Sequence, residues 1–101
     1  MKTFIHNKNY TLEEIEIWIM KKIAKHLKRE TETIDKNAPL YSLGLDSLNI
    51  QSLCSDIESH FKIEMDKNYI PYEESTHDLA IIILNKTHQI NVSANSTTRD
   101  V

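Results

Sequence analysis

Residues that form tight turns are scarce in this chain of 101 residues, which contains one Gly and two Pro. A sandwich or barrel of short strands needs many tight turns, so this scarcity favours helices joined by longer connections. Apolar residues make up 40% of the chain and charged residues 27%, which is typical of a globular domain rather than a disordered one. The length allows one small core. The sequence therefore predicts a single all-α domain.

The first third of the chain contains the clearest helical pattern. From Leu12 onward, apolar residues recur at steps of three and four, and charged residues fall between them. Thr11 and Glu14 have the spacing of a capping box, in which each side chain accepts a hydrogen bond from a free backbone N–H group at a helix start. The pattern predicts a first helix over about 11–29.

A long connection follows this helix. Residues 30–46 lose the helical period and carry Pro39 and Gly44, which are typical of loops. The large apolar side chains of the connection, Leu40 and Leu43 among them, are expected to pack onto the helices.

Two further helices are predicted beyond the connection. Helical spacing predicts a second helix over about 47–61, and residues 63–72 hold one brief helical turn or none. A last helix is predicted from Ser75 or Thr76 to about residue 88, because either hydroxyl can cap it. The inward stripe of the second helix is assigned to Leu48, Leu53, Cys54, Ile57 and Phe61.

The two ends of the chain lie outside the predicted domain, which spans 11–88. Residues 1–10 are interpreted as an N-terminal extension, and the small, polar residues of 89–101 as a disordered tail. The N-terminal stretch lacks the continuous apolar core of a signal peptide, and no run approaches the roughly 20 apolar residues of a membrane span. The sequence therefore predicts a cytoplasmic protein without a membrane segment.

Charge and residue spacing argue against two classes of ligand. The net charge of −3 is unfavourable for binding nucleic acid, which needs a basic surface to neutralise phosphates. The single cysteine, Cys54, cannot form an internal disulfide, which favours a reducing compartment. The five histidines show neither His-x-x-x-His nor Cys-x-x-Cys spacing, so no metal site is predicted.

The most informative segment chemically is Leu43-Gly44-Leu45-Asp46-Ser47-Leu48. It places the hydroxyl of Ser47 in the first turn of the second helix, where free N–H groups and the helix dipole stabilise an anion such as a phosphodiester. Gly44 gives the loop the backbone freedom that keeps this hydroxyl exposed. Asp46 is interpreted as a helix cap or as a metal-contacting group for a modifying enzyme. Leu48 turns either into the core or toward partners.

With this motif the chain resembles the acyl and peptidyl carrier proteins of fatty acid, polyketide and nonribosomal peptide synthesis, over roughly 11–88. The resemblance implies a four-helix bundle of acyl-carrier type with a long first loop and a short third helix. It also implies that Ser47 bears 4'-phosphopantetheine from coenzyme A, whose thiol holds acyl cargo as a thioester. The residues of the motif are more similar to those of polyketide-type carriers than to those of peptidyl carriers. The second helix carries fewer acidic residues than that of fatty acid carriers.

The same resemblance implies that the chain is not an enzyme and that its partners are enzymes. These are a phosphopantetheinyl transferase and the acyl-loading, condensing and modifying enzymes of a biosynthetic pathway. The sequence leaves the oligomeric state open, and a monomer is the default expectation. The recognition surface is assigned to Leu43, Leu45, Leu48, Ile50 and Gln51.

Ser47 allows two other interpretations. A Gly-Asp-Ser-Leu hydrolase is disfavoured because Leu45 interrupts that motif, and because neither a nucleophile elbow nor a recognisable Asp and His pair is present. An ordinary serine at a helix start is a common placement, so an unmodified helical adaptor for protein–protein interaction stays open as the alternative.

Overall fold

A computed structural model describes the backbone of residues 10–96 and the side chains of residues 10–88. Its α-helices are α1 (Leu12–Leu27), α2 (Ser47–Phe61) and α3 (Thr76–Ser96). Two short 3₁₀ helices, Thr31–Thr33 and Leu40–Leu43, lie in the connection between α1 and α2. The described residues include no strand, and the extended pairing among them is an isolated bridge between Pro39 and Ser75. The predicted all-α fold class is confirmed.

Local capping explains where the first and last helices begin. At α1, Thr11 and Glu14 form both hydrogen bonds of the predicted capping box, at 3.1 and 3.0 Å. At α3, the Ser75 hydroxyl accepts from the backbone N–H of Asp78 at 3.0 Å, and the Asp78 carboxylate accepts from the N–H of Ser75 at 3.1 Å. The start of α1 therefore lies at the predicted cap, and at α3 the structure selects Ser75 from the two predicted caps, Ser75 and Thr76.

The last helix is longer than predicted. It continues to Ser96 and so includes 89–96, the first part of the segment that we interpreted as a disordered tail. The rest of that segment, 97–101, lies outside the described residues, as does the N-terminal extension except for Tyr10.

The predicted short third helix is absent from the connection between α2 and α3, where residues 62–75 are irregular apart from short turns. The Asp66 side chain accepts from the N–H of Asn68 at 2.9 Å, and its carbonyl accepts from the N–H of Tyr69 at 3.3 Å. Such a side-chain bond competes with helix formation, and Pro71 removes a further donor. The four-helix count is therefore wrong for the described residues, which form three α-helices.

All three helices contribute fully buried isoleucines to one core, represented by Ile19, Ile57 and Ile83. Leu40, also fully buried, secures the second 3₁₀ helix to this core, and its N–H donates to the carbonyl of Glu74 at 2.9 Å. The connection that precedes α2 is thus fixed by the buried side chain of Leu40 and by the hydrogen bond of its backbone to Glu74. These contacts fix the position of the residues that lead to Ser47.

A nearly buried carboxylate joins α1 to two other parts of the chain. Glu16, which is 4% exposed, accepts a hydrogen bond from Lys36 Nζ at 3.2 Å and lies 2.5 Å from Nδ1 of His77. The hydrogen bond with His77 is the main reason that the pKa of Glu16 lies below its ordinary value, although burial opposes this shift. The Glu16 carboxylate therefore links α1 to the first connection and to the start of α3.

We expect this carboxylate to stabilise the fold at neutral pH and not in acid. Because its pKa is lower in the folded than in the unfolded chain, its contribution is present above the unfolded pKa and is lost as the pH falls through the folded one. The Glu16→Gln variant should lose about 2 kcal/mol of unfolding free energy at pH 7. In urea titrations this deficit should shrink below about pH 4. Glu13→Gln, at an exposed position of the same helix, is the control and should change stability by less than about 0.5 kcal/mol. A deficit that is equal at pH 7 and pH 3 would contradict the assignment.

Candidate functional site

Gly44 shapes the approach to α2. It ends the second 3₁₀ helix with a φ of 101°, and its N–H points to the carbonyl of Tyr41 at 3.4 Å. Residues with a side chain rarely adopt this left-handed conformation, whereas glycine does so without steric cost. The glycine of the motif is therefore required by the backbone, as its predicted role in the loop implied.

We expect the Gly44→Ala variant to lose about 1 to 2 kcal/mol of unfolding free energy, because alanine is strained at positive φ. An added Cβ would lie 3.8 Å from Cδ2 of Leu27, which is an ordinary contact, so the cost comes from the backbone and not from crowding. Gly44→Asn should lose less, since asparagine tolerates positive φ better. Urea unfolding of the three proteins measures the difference, and equal losses in both variants would argue against backbone strain as the cause.

Asp46 fixes the first residue of α2. Its backbone is extended, and its carboxylate accepts from the N–H of Asn49 at 2.8 Å, while the Asn49 side chain accepts from the N–H of Asp46 at 3.3 Å. This reciprocal pair makes Asp46 the N-cap, which is one of the two predicted roles for it. Sequence reasoning missed Asn49, although its position three residues after Asp46 is the spacing of a capping box.

Ser47 is the first helical residue of α2 and is partly exposed. Its hydroxyl forms no hydrogen bond with the described part of the chain, and the N-cap function belongs to Asp46 instead. The hydroxyl is therefore available for reaction at a position that the capping box holds in place.

The surroundings of Ser47 suit an attached phosphate. Within residues 10–96, the backbone N–H groups of Ser47 and Leu48 have no acceptor, as is usual for the first turn of a helix. No acidic residue lies in that turn. Two free donors and the positive end of the helix dipole would thus stabilise a phosphodiester on the serine oxygen.

The structure divides the five predicted recognition residues into two groups. Leu48 is 72% exposed and Gln51 is exposed, so both are available to a partner. Leu45 and Ile50 are 5% and 0% exposed and belong to the core, and Leu43 is half-buried against it. Assigning Leu45 and Ile50 to a recognition surface was therefore wrong, because their side chains stabilise the site from within. Leu48, which we had assigned to the inward stripe, faces outward instead.

An open cavity of about 260 Å³ lies beside α2, between this helix and the connection to α3. Its lining includes Gln51, Cys54, Glu58, Met65, Tyr69 and Ile70. Ser47 precedes Gln51 by four residues, so the serine lies on the face of α2 that borders the cavity. Burial raises the pKa of the Cys54 thiol, which disfavours the reactive thiolate there. The cavity thus offers space near Ser47 rather than a second nucleophile.

A comparison with protein families shows the family of the chain. The family model for the phosphopantetheine attachment site matches residues 18–76, which is more than half of the chain. The chain belongs to the phosphopantetheine attachment site family. Domains of this family carry a 4'-phosphopantetheine prosthetic group, and they interact with phosphopantetheinyl transferases and biosynthetic enzymes. No curated protein matches the chain.

The part of the chain matched to the phosphopantetheine attachment site includes most of α1, the first connection, all of α2 and the start of α3. Ser47 and its two free N–H donors lie within it and fit the phosphate end of the group. Across the described residues, no three His, Cys, Asp or Glu side chains come together as a metal site. None of the described helices combines the length and the hydropathy of a membrane-spanning helix.

Proposed function

We propose that this protein is an acyl carrier protein whose Ser47 bears the 4'-phosphopantetheine group. The observation that carries the proposal is the placement of one hydroxyl. Ser47 lies in the matched region, at the first turn of α2, partly exposed and without a hydrogen bond to the described residues. When attached, the group supplies a flexible arm whose terminal thiol holds acyl intermediates as thioesters.

The residues of this chain would then position the arm and leave the chemistry to partner enzymes. Asp46 holds the helix start and Gly44 directs the loop into it. Leu48 and Gln51 are available for enzymes to contact, and Gln51 also lines the cavity beside α2. We therefore assign a carrier role without catalysis, in which a phosphopantetheinyl transferase first loads Ser47.

We assign the carrier to polyketide or fatty acid biosynthesis, or to a related pathway. We further propose that it acts in the cytoplasm and as a monomer. The Leu-Gly-Leu-Asp-Ser-Leu motif supports an assignment to polyketide biosynthesis. The surface of α2 supports it too, since its acidic residues are limited to Asp56 and Glu58 after the N-cap. Enzymes for loading, condensing and modifying acyl groups would be the partners.

The alternative is a helical adaptor that binds other proteins without modification. The large apolar side chain of Leu48 is 72% exposed, which favours a contact between this site and another protein. A carrier uses the same contact, so the exposed leucine alone does not separate the two functions.

Peptide mapping after loading separates them. The full chain is incubated with coenzyme A and a promiscuous phosphopantetheinyl transferase, then digested with trypsin. The peptide Asn37–Lys62 contains Ser47 and four other serines, so fragmentation can place the added group on one of them. We expect one phosphopantetheine per chain, on Ser47. An unmodified chain, or a group on another serine, would refute the proposal.

A further inference from the structure

The C-terminal half of α1 has a strongly basic outer surface. Residues 17–29 contain five of the 12 Lys and Arg residues of the chain and no Asp or Glu. Three of these cations, Lys21, Lys25 and Lys28, recur at steps of four and three and are all exposed. Lys21 and Lys25 lie one turn apart on the side of α1 opposite its buried isoleucines. Lys28 is the C-cap residue that follows α1 and has a left-handed backbone. We call these three residues the basic face.

The fold itself does not use the basic face. None of its three lysines forms an ion pair within the described residues, whereas the neighbouring Lys22 pairs with Asp56 at 3.8 Å. Like charges three and four residues apart on a helix repel each other. The helix dipole compensates for cations in the last turn, but Lys21 lies near the middle of α1. A stretch of unneutralised charge at this place favours an external anion.

The surroundings of the basic face indicate where an anionic partner would bind and which class of partner fits. The Leu27 side chain, at the end of α1, lies next to Gly44, so the basic end of α1 is adjacent to the loop that leads into Ser47. Ile17, 41% exposed, lies one turn before Lys21 and adds a small apolar contact. A single isoleucine offers too little apolar surface to insert into a lipid bilayer. The net charge of −3 opposes binding to an extended polyanion such as nucleic acid.

We propose that the basic face binds an acidic surface on a partner protein, beside the Ser47 loop. Opposite charge at this place would accelerate the encounter and orient the partner on α1. The proposal goes beyond the carrier function and requires no modification of Ser47, so it can fail or succeed separately from that function.

The test uses the full chain, labelled for NMR, and a short peptide with a few glutamates as the acidic probe, because a compact acidic patch and not an extended polyanion is the proposed ligand. We expect the peptide to shift the amide resonances of residues 17–29 more than those of other residues, and to lose affinity on raising the salt to about 0.15 M. Reversal of two charges, Lys21→Glu with Lys25→Glu, should weaken binding about tenfold. The milder pair Lys21→Gln with Lys25→Gln should give a smaller loss and provides a second test if the reversal impairs folding.

A matched control changes the net charge equally at another place. Lys62→Glu with Lys86→Glu removes the same charge from the end of α2 and from α3, and should leave binding of the peptide within about twofold. Equal losses in both double variants, or shifts spread evenly over the chain, would overturn the proposal. So would binding to anionic vesicles or duplex DNA, or self-association, if it equals the binding of the peptide and is lost in Lys21→Glu with Lys25→Glu.

Discussion

The Ser47→Ala variant should gain no mass when it is incubated with coenzyme A and a phosphopantetheinyl transferase, whereas the unchanged chain gains one phosphopantetheine. The reason is chemical, since alanine has no oxygen to form the phosphodiester. The variant should remain folded, because Asp46 and not Ser47 caps α2, and its unfolding free energy should change by less than about 0.5 kcal/mol. Intact mass and circular dichroism measure both quantities.

Ser52→Ala is the matched control for this experiment. Ser52 is an exposed serine on the same helix and should be dispensable, so this variant should load completely. Loading of Ser47→Ala, or failure of Ser52→Ala, would show that the attachment site has been placed on the wrong residue.

The second large effect separates packing from recognition within the first turns of α2. Ile50→Ala should lose about 3 kcal/mol of unfolding free energy, because the isoleucine is fully buried and its removal leaves a cavity. Leu48→Ala should lose less than about 0.5 kcal/mol, because that side chain is 72% exposed. Urea unfolding of the two variants provides this comparison.

Loading kinetics supply the other half of the test. If Leu48 contacts the transferase, Leu48→Ala should lower kcat/KM for loading about tenfold while the fold stays intact. A Leu48→Ala variant that is as unstable as Ile50→Ala would show that the leucine packs inside. Unchanged loading kinetics would remove Leu48 from the recognition surface.

The sequence was informative wherever the structure depends on neighbours along the chain. Thr11, Asp46 and Ser75 begin the three helices through bonds that span three residues, and α2 has the predicted bounds. The glycine before α2 adopts a backbone conformation that few other residues tolerate. Composition and a six-residue motif therefore predicted the fold class and pointed to the serine.

The wrong predictions concern features that depend on the rotational position of a residue around its helix or on contacts between distant residues. Leu48 and Ile50 differ by about 160° around a helix, so only one of them can face the core. Our prediction left Leu48 open between the core and partners and placed Ile50 on the recognition surface, although Ile50 is the one that is buried. The Glu16 carboxylate bonds to residues 20 and 61 positions away, a pairing that no local spacing reveals. The turn at Asp66 replaced a predicted helix through a side-chain bond that apolar spacing does not indicate.

The indole of Trp18, the single tryptophan of the chain, stacks on His60 with a centroid separation of 4.7 Å, at the end of α2 opposite Ser47. Thirteen residues of helix separate His60 from the serine, which is about 20 Å. Fluorescence of this indole therefore reports whether α1 and α2 remain docked, far from the attachment chemistry. One optical signal can follow denaturation in apo and holo protein alike, without a label and without disturbance from the arm.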